Sequence, residues 1–252
     1  MQITFLGTGT SMGVPVAGGF GSELLDGDPR NERFRSSVWV QENDTSILID
    51  AGPEFRLQSI RAGIKRIDLV LITHEHMDHI AGLDDLRVYN YKQKKSIPLY
   101  TCKRTADSIY RRFEYMFGED RYPGSTSLDI HHADKPFEKN GITITPLTLH
   151  HGDIDILGFK LNDFAYMTDT KSIPEETREQ VRGSKMMVIS GLRWGPEHPT
   201  HLTIPEAVEL ADELEIETTY LIHMNAYVNQ KESEQKLPGH VRLAHDQLTI
   251  NI

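Results

Sequence analysis

Apolar residues along this chain fall in short strand-length runs separated by stretches with helical spacing. Gln2–Leu6 reads as a strand and runs into the glycine-rich stretch Gly7-Thr-Gly-Thr-Ser-Met-Gly13, then into a loop containing Gly18, Gly19, Gly21, Gly27 and Pro29. Ser37–Gln41 and Ser46–Asp50 flank the polar turn Glu42-Asn-Asp-Thr45 and predict a hairpin. Ile67–Ile72, apolar but for Asp68, predicts a strand covered on both faces. Pro53–Ala62 predicts a helix, with proline at its start and Gly63 after its end. Further helices are expected near Ala81–Tyr91 and Arg104–Phe117 and over Ile204–Leu214, where Thr203 stands as N-cap and Glu206 at capping-box spacing. Strands are expected at Pro98–Tyr100, Ile142–Leu149, Asp155–Leu161, Phe164–Thr168, Met186–Ser190 and Thr218–Ile222. Strands interspersed with helices favour an α/β fold of sheets sandwiched by helices. No shift in composition marks a linker, so residues 1–252 read as a single domain.

The chain has 252 residues, 38% hydrophobic and 25% charged, which places it among soluble globular proteins rather than disordered ones. No apolar run approaches the ~18 residues of a membrane span, and Met1–Gly7 lacks the basic start of a secretory signal. The single cysteine, Cys102, excludes an intramolecular disulfide framework and a cysteine-built zinc site. A cytoplasmic protein without a membrane partner is therefore expected. Twenty-seven Lys and Arg against 37 Asp and Glu give a net charge of −10. A chain so acidic does not hold polyanions by overall charge, and a phosphate ligand would need a basic patch or bound metal.

The placement of the 12 histidines supplies that possibility. Thr73-His74-Glu75-His76-Met77-Asp78-His79 directly follows the apolar strand, and imidazole with carboxylate suits zinc, manganese or iron. The spacing is not the His-Glu-x-x-His of a zincin helix. In a loop, His74 and His76 can face one side and Asp78 and His79 another, which can feed two metals. Further candidates stand at strand ends: Asp50 after Ile47–Ile49, His151 before Gly152, Asp169 after Ala165–Thr168, and His223 after Tyr220–Ile222. One histidine at a strand end is ordinarily structural. Four such residues beside a dense cluster point to a metal site gathered from several strands.

The order of Asp50, His74-x-His76-x-Asp78-His79, His151, Asp169 and His223 resembles the metallo-β-lactamase superfamily of dinuclear metallohydrolases. That resemblance covers nearly the whole chain and implies a four-layer αβ/βα sandwich with its site at one edge of the two sheets. It implies that His74, His76 and His151 hold one metal, that Asp78, His79 and His223 hold a second, that Asp169 bridges them, and that Asp50 orients the ligand loops. The redox di-iron branch has glutamate where this chain has His76, so the resemblance implies hydrolysis.

Leu6–Pro15, Arg35-Ser-Ser37, Leu48–Arg56 and His198-Pro-Thr-His201-Leu-Thr-Ile-Pro-Glu-Ala207 resemble the phosphoribosyl cyclic phosphodiesterase group, whose relatives include tRNA 3′-processing ribonucleases. His201 matches that group's active-site histidine, and it and Asp78 are the catalytic candidates, with His198 competing for the role of general acid. Many members carry cysteines for a structural zinc after the first glycine loop. Val16–Gly21 has none, so that zinc is not expected.

The resemblance thus implies a phosphodiesterase with two divalent metals, zinc or manganese or else iron, attacking a small cyclic or nucleotide-like phosphate with a hydroxide shared between the metals. A nuclease of the tRNA 3′-processing type is the alternative. Arg87–Arg121 holds nine Lys and Arg against four Asp and Glu, a local excess of five, interleaved with Tyr89, Tyr91, Tyr100, Tyr110, Phe113, Tyr115 and Phe117. Basic residues with aromatics can grip nucleotides. An amphipathic helix packed through Ile109, Phe113 and Phe117 is the favoured reading, so nucleic acid is not the favoured partner. A homodimer is compatible with all of this, and a non-catalytic binding protein on the same fold is disfavoured by the intact ligand set.

Overall fold

The computed structural model describes residues 1–118 and 121–252, so Glu119 and Asp120 of the basic segment lie outside the described residues. The described strands form two sheets. The first contains β1 (Gln2–Gly7), β2 (Ser37–Glu42), β3 (Thr45–Ile49), β4 (Leu69–Leu71), β5 (Ile97–Thr101), β6 (Leu128–His132) and β14 (Thr249–Asn251), in the order β14-β1-β2-β3-β4-β5-β6. The second contains β7 (Phe137–Lys139), β8 (Ile142–His151), β9 (Ile154–Leu161), β10 (Phe164–Met167), β11 (Met186–Ser190), β12 (Thr218–Ile222) and β13 (Val241–Leu243), in the order β13-β12-β11-β10-β9-β8-β7. Each sheet is antiparallel at one side and parallel at the other, from β3 to β6 in the first and from β10 to β13 in the second.

Alternating side chains explain the layering. Ile3, Phe5, Val38, Val40, Ile47, Ile49, Leu69 and Leu71 face Ile144, Phe159, Leu161, Tyr166, Val188 and Ile222 across the sheets in one dry interior. On the far side of the first sheet, Leu48, Val70 and Leu99 pack under α1 (Phe55–Arg61), α3 (Arg87–Gln93) and α4 (Lys103–Arg112). On the far side of the second, Leu149, Met167, Met187 and Ile189 pack under α5 (Glu175–Val181) and α6 (Ile204–Glu213). The result is the four-layer αβ/βα sandwich.

The expected strands and the helices over 53–62 and 204–214 are present with small shifts at their ends. Three expectations change. The helix near Ala81–Tyr91 divides into a tight turn, Leu83–Leu86, and α3. The helix near Arg104–Phe117 stops at Arg112, and a second turn, Glu114–Met116, folds Tyr110 and Phe117 edge to face. The histidine segment is not all loop, since Met77–Ile80 is one helical turn, α2, entered from His76. The periodicity did not reveal β6, β7, β13, β14, α5 or α7 (Gln230–Glu234). Strands β6, β7, β13 and β14 lie at or beside sheet edges, where half-exposed residues blur the alternation. No described helix is long and apolar enough to cross a membrane.

The cap of α6 has the expected reciprocal pattern. The Glu206 N–H donates to Thr203 Oγ1, and the Thr203 N–H donates to Glu206 Oε2 at 2.7 Å. Because this cap closes the turn carrying His198 and His201, Thr203→Ala should cost about 1 kcal/mol of unfolding free energy. Denaturant titration checks this, and an unchanged midpoint would show that the cap contributes nothing.

Candidate metal centre

The parallel strands of both sheets end at the same edge of the sandwich, and all the ligand candidates but His151, which ends the antiparallel β8, come from those ends. Asp50 follows β3, the histidine segment follows β4, Asp169 follows β10 and His223 follows β12. Asp50, Asp169 and His223 adopt left-handed backbone, with φ of 61°, 54° and 57°. Non-glycine residues reach that region at a cost of about 1–2 kcal/mol. Three such residues at one edge mark a place where the fold overrides local preference to aim side chains inward. Gly52 permits a close approach here, since a Cβ on it would run into the carbonyl of Asp78.

Two clusters of donors result. One ligand atom from each of His74, His76, His151 and Asp169 lies within 4.8 Å of the others, as does one from each of Asp78, His79, Asp169 and His223. Asp169 belongs to both, with Oδ2 at 3.1 Å from His223 Nε2 and 3.8 Å from His74 Nε2, and Oδ1 at 3.5 Å from His79 Nε2. His79 Nε2 also lies 3.1 Å from Asp78 Oδ2.

The outer hydrogen bonds set which nitrogen faces inward. Asp50 is fully buried. It accepts from His79 Nδ1 at 2.8 Å, from the Thr73 N–H at 2.9 Å and from the Thr73 hydroxyl. Thr73 Oγ1 also lies 3.0 Å from His74 Nδ1, and the Thr200 carbonyl accepts from His151 Nδ1 at 3.0 Å. In His74, His79 and His151 the Nδ1 is thus engaged outward, which leaves Nε2 facing the cluster, where it could give a lone pair to a metal once unprotonated. His79 Nε2 and both ring nitrogens of His223 are buried without a hydrogen-bond partner. Buried nitrogens left unpaired opposite carboxylates, in a set rich in imidazole, fit a divalent cation.

The charges agree. Burial disfavours charge on His79, yet Asp78, Asp169 and Asp50 hold its pKa well above the ordinary imidazole value. His223 is likewise raised to about 9 against the burial penalty, chiefly by Asp169. Despite burial, Asp169 is held well below the usual carboxylate range by His223 and His79, and Asp78 is lowered by His79. His74 moves the other way, down, through burial and its neighbour His79. Asp78 and Asp169 thus favour the protonated forms of His79 and His223 in the metal-free site.

All seven ligand candidates meet at this edge, with Asp50 behind them and His201 beside them. The His201 ring lies 4.8 Å, centre to centre, from both His151 and His223. Burial, followed by His223, lowers His201 to about 3. Thr73 and Thr200, which orient His74 and His151, escaped the sequence reading. The only signal was a threonine beside a candidate histidine. Glu75, inside the histidine string, turns away and accepts from Arg104 Nε at 2.6 Å and Thr105 Oγ1 at 3.1 Å.

Residues 45–224 match the family model of the beta-lactamase superfamily domain, and the chain belongs to that family. Its structure is similar to the crystal structure of a new diphosphatase from the PhnP family, with a TM-score of 0.92 and 35% identity over 100% of this chain and 97% of that one. In sequence it is 36% identical, over 98% of its length, to 51% of an octanoyltransferase of Porphyromonas gingivalis. It is 27% identical, over 62% of its length, to 48% of a ribonuclease Z of Bradyrhizobium diazoefficiens. The chain therefore spans about half the length of these curated relatives.

Metal binding must displace the protons that His79 and His223 carry. Affinity for zinc or manganese should therefore rise with pH from neutrality through about 9, where His223 loses its proton. Calorimetry in buffers of differing ionisation enthalpy should show proton release at neutral pH. Binding with no buffer dependence would contradict this charge balance.

Proposed function

We propose that this chain is a metal-dependent phosphodiesterase that hydrolyses a small cyclic or nucleotide-like phosphate with two divalent metals. The observation that carries this reading is the pair of donor groups sharing Asp169, with inward-facing imidazole nitrogens and His201 against both. In this reading His74, His76 and His151 would hold one metal, Asp78, His79 and His223 would hold the other, and Asp169 would serve both. Zinc or manganese suits the set, as does iron. Bound there, the metals supply Lewis acidity toward phosphoryl oxygens and lower the pKa of water. The similarity to a PhnP-family diphosphatase and to ribonuclease Z supports phosphate ester chemistry. The lone thiol suits a reducing compartment such as the cytoplasm.

The protein's own groups divide the remaining work. Asp50 holds His79 in the required tautomer, Thr73 orients His74, and the Thr200 carbonyl orients His151. His201 is the group placed to protonate the leaving oxygen. Burial keeps its ring neutral, and an anionic phosphate beside it would favour the charged form. Processing of RNA ends is the less supported reading. Four of the nine basic residues of that segment are paired, Arg87 with Asp84, Lys95 with Asp68, Lys103 with Asp107 and Arg104 with Glu75.

Metal analysis with a screen over cyclic phosphates, linear diesters and RNA tests the reading directly. Cleavage of RNA alone would select the second reading, and no cleavage of any ester would end both. Asp78→Ala should abolish turnover and remove one of the two metals, since it takes a charged ligand from a site with few others. Full metal content with wild-type activity would refute the ligand assignment.

His201→Ala should cost ~10²-fold or more on a diester with an alkoxide leaving group, because an alkoxide needs the proton. It should cost far less on bis(nitrophenyl) phosphate, with metal content unchanged. Equal losses on the two substrates would remove the general-acid role, and loss of metal would make His201 a ligand.

A further inference from the structure

The two carboxylates of the metal centre are held differently. Asp78 faces imidazoles, with Oδ2 at 3.1 Å from His79 Nε2 and 3.7 Å from His223 Nε2. Asp169, which both donor groups share, also accepts a hydroxyl from behind. Thr168 is fully buried, and its Oγ1 donates to Asp169 Oδ1 at 2.6 Å. That contact divides the two oxygens. Oδ2 lies 3.1 Å from His223 Nε2 and 3.8 Å from His74 Nε2, so it faces one histidine of each group. Oδ1 lies 3.5 Å from His79 Nε2, on the side of the second group. A carboxylate free to turn could give both oxygens to the second group and desert the first. A hydrogen bond to an ionised oxygen is of the stronger kind, and it resists such a turn.

The Thr168 hydroxyl is itself backed. Tyr166, two residues earlier on β10, is fully buried between the sheets. Burial, followed by Asp50 and Asp169, raises its pKa well above the ordinary phenol value, so it stays protonated. Its hydroxyl lies beside that of Thr168 but outside ordinary hydrogen-bond geometry, and among the described residues it has no other partner. A buried O–H without an acceptor is costly. Thr168 Oγ1 has committed its proton to Asp169 and keeps lone pairs free to accept one.

We propose that Thr168 is a positioning residue for the shared carboxylate: its hydroxyl, backed by that of Tyr166, holds Oδ1 so that Oδ2 is offered to both donor groups. Thr73 and the Thr200 carbonyl do this for imidazoles, and Thr168 does it for the carboxylate. This inference rests on the two-metal reading above and adds to it the residues that keep the two sites joined.

Manganese titration by calorimetry, with electron paramagnetic resonance of the loaded protein, tests this without turnover. In the wild type, two manganese ions joined through Asp169 should give a spin-coupled spectrum. Thr168→Val keeps the side chain's volume without the hydroxyl. It should weaken the weaker-bound ion ~10–100-fold, the range for losing an outer hydrogen bond to a ligand, and leave a spectrum of isolated ions. Thr168→Ser keeps the hydroxyl and should restore both properties. Thr168→Ala serves the same test where valine does not fold. Tyr166→Phe should weaken the same ion about fivefold, the scale of one neutral hydrogen bond. Combined with Thr168→Val it should cost nothing further, because the two act in one chain. The proposal is overturned if Thr168→Val leaves affinity and spectrum unchanged, or if serine does no better than valine. It is also overturned if Tyr166→Phe has no effect or adds its full cost to that of valine. Failure of the two-metal reading appears separately, as a wild type that binds one manganese. The affinities of the valine and serine variants for that ion still decide whether Thr168 positions Asp169.

Discussion

The site depends on one buried carboxylate. Asp50 leaves strand β3 in left-handed backbone, and its two oxygens take up the Thr73 amide, the Thr73 hydroxyl and His79 Nδ1. These bonds join the ends of adjacent parallel strands and the helical turn that carries Asp78 and His79. A carboxylate fully out of water is costly unless hydrogen-bonded, and Asp50 accepts from Thr73 twice and from His79, although burial still pushes its carboxyl up. Without it, His79 would lose the partner that keeps Nε2 free, and Thr73 would no longer hold His74.

The rest of the centre follows from how the two sheets meet. Each has an antiparallel side that turns back on itself and a parallel side whose strand ends point to the common edge. Loops leaving the carboxyl ends of parallel strands are where α/β folds place ligands. Asp50 and the histidine segment arrive from the first sheet, and Asp169 and His223 from the second, so the donor groups straddle the seam between them. The packed interior between the sheets keeps that seam rigid. This rigidity lets three residues persist in strained backbone at the edge.

The arrangement also shows how an acidic chain could hold a phosphate ligand, as the proposed function requires. Asp78 and Asp169 are compensated locally by His79 and His223, so divalent metal would replace protons and not act on an uncompensated anionic pit. The turn over 193–201 carries two further histidines. His201 is packed against the rings of His151 and His223, and His198 Nδ1 accepts from the Thr200 amide. Two histidines three residues apart thus acquire different surroundings.

Much of this was legible in the chain itself. The apolar run before His74, the density of His74, His76, Asp78 and His79, and the recurrence of Asp50, Asp169 and His223 after strand-like segments announce a metal site, because donors of that kind are rarely set so close for structural reasons. The strands of the core and the cap of α6 were equally readable, since alternation and capping are local properties of sequence. Only the tertiary structure decided the rest. It turned Glu75 away toward Arg104, chose which nitrogen of each imidazole faces inward, and gave Thr73 and Thr200 their orienting roles. It also separated His198 from His201. These outcomes depend on backbone amides and carbonyls brought together from distant segments, and neither residue type nor spacing encodes the direction in which such groups point.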